Sequence, residues 1–506
     1  MISSMRISFR SQILTILSLT GLFVLGSTPG ALAQVARHAS AAQARPANST
    51  DGRTIPALLI SDIHFDPFND PSKVQALIAA PVTQWRSILS ASPSSDQQQA
   101  FDALQKTCQM RGVDTPFTLF NSSLQAMRSR QPDARFVTVS GDLIAHAFSC
   151  RYAKLVTGST PSDYQAFVLK TISFVMAELR TSFPEIPIYV ALGNNDTECG
   201  DYKLDTKSDF LAQAGKIVLE GLPASQRQQA LKEFEEGGYY STTMAEPMQG
   251  ARLIVINDLY LSPKYSTCSG KPDTVAATKE MVWLEQQLAQ ARESQQKVWV
   301  MGHIPPGVDP YSTAAKLRNV CAGQAPVMFL SDKLGDLLAQ YADVVRLGIF
   351  AHTHMDEMRL LRSENSGPET AGEHNVGIKL VPSISPVDGN NPSFTVARVN
   401  PSLAVLQNYE VVAASNQTGV AAKWATEYNY GKTYHETQFA PSMVRELIEK
   451  FKADHDASTE ESRAYIRYYF VGDRSLELSP FWPQYACALD NRTAKAFAAC
   501  VCSSAR

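Results

Sequence analysis

Five short apolar runs in this 506-residue chain each end on a residue from the same small polar set. Leu58-Leu59-Ile60 runs into Ser61-Asp62-Ile63-His64, and Phe136-Val137-Thr138-Val139-Ser140 into Gly141-Asp142. Ile188-Tyr189-Val190-Ala191-Leu192 runs into Gly193-Asn194-Asn195-Asp196, and Val298-Trp299-Val300-Met301 into Gly302-His303. Val345-Arg346-Leu347-Gly348-Ile349-Phe350 runs into Ala351-His352-Thr353-His354. Apolar runs of this length, bounded by glycine or polar residues, predict central strands covered on both faces. Sites on open α/β sheets form beyond the carboxyl ends of the strands, which is where these Asp, Asn and His residues fall.

One such ending carries little weight, since a lone buried histidine is ordinarily a hydrogen-bonded core residue. Here five of the nine histidines (His64, His146, His303, His352 and His354) lie in or beside the strand ends. Asp62 and His64 also share one side of an extended chain, because side chains alternate along it. Imidazole, carboxylate and one amide together suit first-row dications better than they suit calcium or magnesium. The sequence therefore predicts a metal centre built from strand ends.

The ordered set Asp-x-His, Gly-Asp, Gly-Asn-x-Asp, Gly-His and x-His-x-His resembles that of the calcineurin-like binuclear metallophosphoesterases. A narrower likeness, to the acid sphingomyelinase-like phosphodiesterases, is carried by Gly141-Asp142-Leu143-Ile144-Ala145-His146 and Gly302-His303-Ile304-Pro305-Pro306-Gly307. Ala351-His352-Thr353-His354-Met355-Asp356-Glu357 carries it further, as does Pro382-Ser383-Ile384-Ser385-Pro386 followed by Asn390-Asn391-Pro392-Ser393-Phe394. The resemblance spans residues 56–410 and a helical tail. It implies an α/β fold, a two-sheet α-β-β-α sandwich, and two divalent metal ions. By resemblance Asp62, His64 and His354 hold one ion, Asn194, His303 and His352 hold the other, and Asp142 bridges them. Zinc is the expected metal, with manganese and iron compatible with the same donors. Water activated by the two ions is then expected to attack phosphorus, with no covalent enzyme intermediate.

Two departures from the family pattern bear on substrate. His146 stands where the sphingomyelinase-like proteins carry one candidate general acid, but their second candidate, a histidine after the metal-bound Asn, is Asn195 here. Asn donates a hydrogen bond and cannot transfer a proton. General-acid help is worth about 10²–10⁴ in rate, and an alkoxide leaving group depends on it far more than a phosphate does. Endopolyphosphatases resemble this chain in carrying Gly-Asn-Asn-Asp, and some sphingomyelinase-like relatives act on nucleotides. The second departure is that residues 34–55 are too few for the lipid-presenting module of lysosomal-type sphingomyelinases. The expected substrate is a small phosphorylated molecule, with a nucleotide or polyphosphate favoured over a phospholipid headgroup. A phospholipid or sphingomyelin phosphodiesterase is the alternative within the same chemistry. An inactive binding protein is the alternative of another class, and seven metal-ligand residues argue against it.

Taken in order, residues 1–33 read as an export signal. Arg6 and Arg10 precede the apolar stretch Ile13–Leu25, and Ala31-Leu32-Ala33 is a cleavage site, which predicts a secreted or periplasmic protein. No segment is apolar for the roughly 20 residues a membrane span needs. Removing the signal takes the formal charge from −3 to −5, and a weakly acidic chain has no basic footprint for nucleic acid. Residues 34–55 read as a flexible linker, 56–412 as the catalytic domain and 413–506 as a helical subdomain. The long excursion 65–131 is expected to cap the rim of the site.

Thr160-Pro161-Ser162-Asp163 predicts a helix start, with Val168, Ile172, Val175, Met176 and Leu179 facing the core. A helix over 278–292 is expected to face Val282, Leu288 and Ala291 inward. Strands at 376–382, 394–400 and 403–412 are expected to form a second, more antiparallel sheet. In the tail, Met443, Val444, Leu447, Ile448 and Phe451 share a helical face. Ser458-Thr459-Glu460-Glu461 reads as a capping box before a helix bearing Tyr465, Tyr468 and Tyr469, which either dock that helix or line a substrate surface. Eight cysteines fit an oxidising compartment; local bridges are expected, for example from Cys487 to Cys502. Oligomeric state stays open.

Overall fold

The computed structural model describes residues 54–315, 320–322, 325–362, 375–472 and 474–504; the predicted signal (1–33) and nearly all of the predicted linker (34–55) lie outside them. The five apolar runs form strands. β1 (Ile55–Ile60), β2 (Val137–Ser140) and β3 (Ile188–Ala191) lie parallel to one another and are buried along their whole length. A second sheet follows from β4 (Tyr240–Thr243), β5 (Ala251–Val255), β6 (Lys297–Met301), β7 (Val345–Phe350), β8 (Glu357–Arg362) and β9 (Asn375–Leu380). Its order is β4-β5-β6-β7-β9-β8, parallel from β5 to β9 with antiparallel edge strands.

The chain then returns to the first sheet. β10 (Ser393–Asn400), β11 (Val405–Ala414) and β12 (Trp424–Asn429) add in antiparallel steps, giving the order β12-β11-β10-β1-β2-β3. The expected separate antiparallel sheet is therefore corrected: β9 extends the second sheet, while β10 and β11 extend the first. The buried β1 needs a partner on its open edge, and β10 supplies it from Ile55 opposite Val399 to Leu59 opposite Thr395. Nothing in the local sequence of β9–β11 tells which sheet each will join.

The sheets meet face to face, with Phe136 edge-on to Trp299 at 5.8 Å and Trp299 Nε1 donating to Ala404 O at 2.7 Å. Helices cover the outside. Helix Pro161–Ser182 carries the full capping box of Thr160 and Asp163, and it buries Val168, Ile172, Val175, Met176 and Leu179, each worth about 1.5–3 kcal/mol. Helix Thr274–Glu293 buries Leu284, Leu288 and Ala291, whereas Val282 is 50% exposed. At 3.6 residues per turn, Val282 lies roughly 0.4 of a turn from the stripe that Leu284, Leu288 and Ala291 define.

Residue 412, the expected domain boundary, falls inside β11, and β12 precedes the tail helices. Helix Pro441–Ala453 buries Val444, Leu447, Ile448 and Phe451, with Met443 half-buried. Helix Glu460–Tyr469 is capped by Thr459, while the Asp454 carboxylate accepts from Ser458 N and Thr459 N at 2.8 and 2.9 Å. The cap therefore sits one residue later than the predicted box. Four disulfides form: Cys108–Cys150, Cys199–Cys268, Cys321–Cys502 and Cys487–Cys500. The expected Cys487–Cys502 bridge is replaced because Cys500 and Cys502, two apart on helix Ala494–Ser504, point to nearly opposite sides. This cysteine usage fits an extracellular or lumenal protein. Among the described residues no helix is long and apolar enough to cross a membrane.

Candidate active site

The carboxyl ends of β1, β2 and β3 in one sheet meet those of β6 and β7 in the other. The first sheet brings Asp62, His64, Asp142 and Asn194; the second brings His303, His352 and His354. The chain turns sharply at these ends: Asp62, His64, Asp142, His352 and His354 all have φ between 43° and 70°. Non-glycine residues adopt that region at a cost of roughly 1–3 kcal/mol each, which surrounding structure must over-determine. Close approach sets the glycines too. A Cβ on Gly193 would lie 2.1 Å from Asp142 Oδ1, and one on Gly302 would lie 2.2 Å from Asp258 Oδ2.

The donor atoms fall into two sets that share Asp142. In the first, His64 Nε2 lies 3.7 Å from Asp62 Oδ1, 3.2 Å from His354 Nε2 and 3.4 Å from Asp142 Oδ2. In the second, His303 Nε2 lies 3.2 Å from Asp142 Oδ2, 3.1 Å from Asn194 Oδ1 and 3.3 Å from His352 Nδ1.

Their far sides are held. His64 Nδ1 donates to Ile144 O at 3.0 Å and His303 Nδ1 to Ser140 O at 2.8 Å, which turns both Nε2 atoms inward. Asn194 Nδ2 donates to Asp201 Oδ1 at 2.7 Å, which turns its Oδ1 inward. His352 Nε2 meets Tyr202 OH at 3.2 Å, and His354 Nδ1 lies 3.4 Å from Asp388 Oδ2. Outer partners of this kind orient metal ligands and fix their tautomers.

This arrangement fits two cations. Asp62 Oδ1 is buried with no hydrogen-bond donor, and imidazole nitrogens face one another at 3.2 and 3.3 Å, where only one nitrogen of each pair can supply the shared proton. Burial would raise the Asp62 pKa, but His354 and His64 hold it at about 2; Asp142 is likewise held well below the carboxylate range by His303 and His64. Burial favours neutral imidazole at His64 and His303, yet Asp142 beside both raises them to about 9 and about 10. Burial wins at His354, lowered to about 4, and at His352, lowered well below its usual value with His303 adding repulsion. Buried anions thus recruit protons in the absence of metal, which is the electrostatic demand that divalent ions meet.

Three buried carboxylates that sequence reasoning missed support the loops. Asp258 accepts from His303 N at 2.8 Å and Ile304 N at 3.0 Å; Asp196 accepts from Leu143 N at 2.8 Å and Gly193 N at 2.9 Å. Burial outweighs those hydrogen bonds and raises each to about 7. Asp114 holds His146. Asp196 belongs to a visible motif; Asp114 and Asp258 carry no local signal.

The two other predicted residues are placed differently from each other. His146 lines the cavity and stacks on His64, with ring centroids 3.8 Å apart. Asn195 is turned inward: its N and Nδ2 donate to Asp142 Oδ1 and Oδ2 at 2.8 and 2.9 Å. Above them opens a cavity of about 270 Å³. The excursion after β1 adds Arg111 to its wall, and the tail adds Tyr469, Phe470 and Arg474. Tyr469 therefore reaches the site, while Tyr465 is buried in the tail core and Tyr468 stacks on Tyr428.

Strand ends of two facing sheets that converge on one shared carboxylate define a metal-dependent phosphoesterase. Residues 55–356 match the calcineurin-like phosphoesterase family model, and the chain belongs to that family of hydrolases, whose centres are dinuclear. Its curated relatives include acid sphingomyelinase-like phosphodiesterases. The cyclic GMP-AMP phosphodiesterase SMPDL3A of Mus musculus is 24% identical over 404 residues, covering 77% of this chain and 82% of its own. Acid sphingomyelinase-like phosphodiesterase 3b of Mus musculus is 24% identical over 412 residues, covering 78% and 79%. Sphingomyelinase phosphodiesterase C of Dictyostelium discoideum is 22% identical over 343 residues, covering 66% and 70%.

Proposed function

We propose that the chain hydrolyses phosphodiester or phosphoanhydride bonds of small phosphorylated molecules, with nucleotide- or polyphosphate-like substrates favoured. The observation that carries this reading is the convergence of seven donor groups on two sets sharing Asp142 Oδ2. Asp62, His64 and His354 would hold one ion, Asn194, His303 and His352 the other, with Asp142 between; zinc suits the imidazole-rich donors, as do manganese and iron. When bound, the pair supplies an activated water and neutralises charge on the phosphoryl oxygens.

The chain's own residues do the rest. Asn195 locks the bridging carboxylate, Asp201 locks the Asn194 amide, and His146 hands a proton to the leaving oxygen. Because Asn195 is committed to Asp142, His146 is the only proton donor of the two predicted residues. That supports substrates whose leaving groups need little protonation. The four disulfides and the Arg6–Ala33 segment support export through a cleaved signal, to the periplasm or outside the cell.

A second reading, a phospholipid or sphingomyelin phosphodiesterase, is favoured by the rim. Tyr311, which lines the cavity, is 52% exposed. An exposed aromatic side chain at a mouth suits an amphiphile. The deciding experiment compares kcat/KM for a nucleoside triphosphate and for sphingomyelin in mixed micelles, using zinc- or manganese-loaded protein with Asp142→Asn as the blank. Nucleotide preference supports the first reading and lipid preference the second. Turnover of neither above the blank overturns both and leaves a binding protein.

A further inference from the structure

A buried ion network lies behind His146. Asp114, fully buried, accepts four hydrogen bonds. His146 Nδ1 and Ser385 Oγ donate to its Oδ1 at 2.8 and 3.2 Å, and His146 N and Arg151 Nη2 donate to its Oδ2 at 2.9 and 2.8 Å. Arg151, equally buried, holds Asp66 Oδ2 through Nη1 at 2.7 Å. A carboxylate offers about four acceptor sites, and here donors fill all four.

Burial pushes the Asp114 carboxyl up, but His146 and Arg151 outweigh it and hold it well below the usual range, so it acts as an acceptor only. The nitrogen facing it must then carry the proton. With Nδ1 committed and the ring stacked on His64 at an interplanar angle of 19°, Nε2 is the nitrogen left for the cavity that His146 lines. Burying a guanidinium and two carboxylates is expensive unless every charge is paired. Placing that cluster behind one partly exposed histidine gives the histidine a single orientation.

We propose that Asp114 is the positioning residue for His146, with Arg151 fixing Asp114 in turn: it keeps a proton on Nδ1, so that the imidazolium's Nε2–H faces the leaving group, gives it that proton and leaves the neutral Nδ1–H ring. This rests on the reading of His146 as proton donor. Asp114→Asn tests it, because the Asn side chain has a forced orientation. Its oxygen stays with the two donors at the Oδ2 position, Arg151 Nη2 and His146 N. Its NH₂ then faces His146 Nδ1 and drives the ring proton to Nε2. Reversing the tautomer of a His–Asp pair in this way is severe in hydrolases that use one.

Kinetics would use a series of phosphodiesters with leaving groups from nitrophenolate to alkoxide. For Asp114→Asn, kcat on the alkoxide ester is expected to fall about 10²–10⁴-fold, with the nitrophenolate ester, KM and bound metal nearly unchanged. His146→Gln is expected to discriminate the same way. If His146→Gln discriminates and Asp114→Asn does not, the positioning role is wrong and the acid assignment stands. If neither discriminates, the acid assignment fails and takes the positioning role with it. A readout independent of activity, and of whether Asp114→Asn folds, comes from ¹⁵N-histidine NMR of the zinc-loaded chain. The signal that His146→Gln removes is expected to show a protonated Nδ1 both in the imidazolium and in the neutral ring; a neutral ring with the proton on Nε2 alone in the unmutated protein overturns the proposal.

Discussion

The floor and the wall of the cavity are built by different rules. The floor groups sit two to four residues past buried strands, all but His352 are buried, and their far sides are held by polar neighbours. The wall comes from loops and the tail, and its charges are paired loosely at the surface. Arg111 lies 3.8 Å from Asp388, Arg474 Nε is 2.9 Å from Glu477, and Lys264 rests over the Tyr202 ring at 4.9 Å. The floor dictates one reaction, because its groups have one geometry. The wall is held by fewer and more exposed contacts, so it is where differences in substrate preference are expected.

The sharpest attempt to break this contrast is Asp142→Asn, which strikes both halves of the floor. Turnover is expected to fall about 10³-fold or more, as several kcal/mol of charge stabilisation are lost, with two-metal stoichiometry lost and circular dichroism unchanged. Next comes the joint between floor and wall. Lys379 pairs with Asp356, two residues past His354, and Asp356 also accepts from Tyr428 OH while its N–H donates to Tyr469 O. Lys379→Met strands the buried carboxylate and is expected to cost about 3–5 kcal/mol in denaturant unfolding.

A third test uses pH on metal-stripped protein. His64 and His303, raised to about 9 and about 10, carry protons at neutral pH that a metal must displace. Zinc affinity is thus expected to rise with pH, by about tenfold per unit for each proton displaced, and to level off above those values. Calorimetry in buffers of different ionisation enthalpy reads the released protons. A smaller effect is expected from Asp201→Ala, which removes the acceptor that holds the Asn194 amide. Affinity of that half alone should drop about 10–100-fold, splitting the titration into two steps. The mildest is Arg474→Ala in the wall, expected to raise KM a few-fold with kcat nearly constant, in line with surface charge pairs worth about 0–1 kcal/mol. A large fall in kcat there would erase the distinction between floor and wall.

The contrast also explains what could be read from residues alone. Asp62, His64, Asp142, Asn194, His303, His352 and His354 were legible because strand periodicity and glycine punctuation are local signals. The Thr160 helix start was legible for the same reason. The destinations of β9 and β10 were not, since pairing partners are chosen by edges that exist only after the sheets form. Asp114 and Asp258 resemble any loop aspartate until folding places a histidine or a strand end against them. Asn195 was readable as a residue, but its rotation onto Asp142 was not. Cys502 escaped because the direction of a side chain on a short helix decides which of two near neighbours bridges where.

The position of β1 has a consequence in time. Leu58 pairs on one side with Val137 and on the other with Val396, so the strand that carries Asp62 and His64 gains its second neighbour only when nearly the whole catalytic region has been made. Contacts this distant in sequence form slowly, because long loops must close first. A growing chain therefore carries the ligands as separate, unassembled groups and cannot capture a cation pair as it is synthesised. The donors come together only once β10 reaches β1, so the first ions they can meet are those of the compartment in which that step takes place.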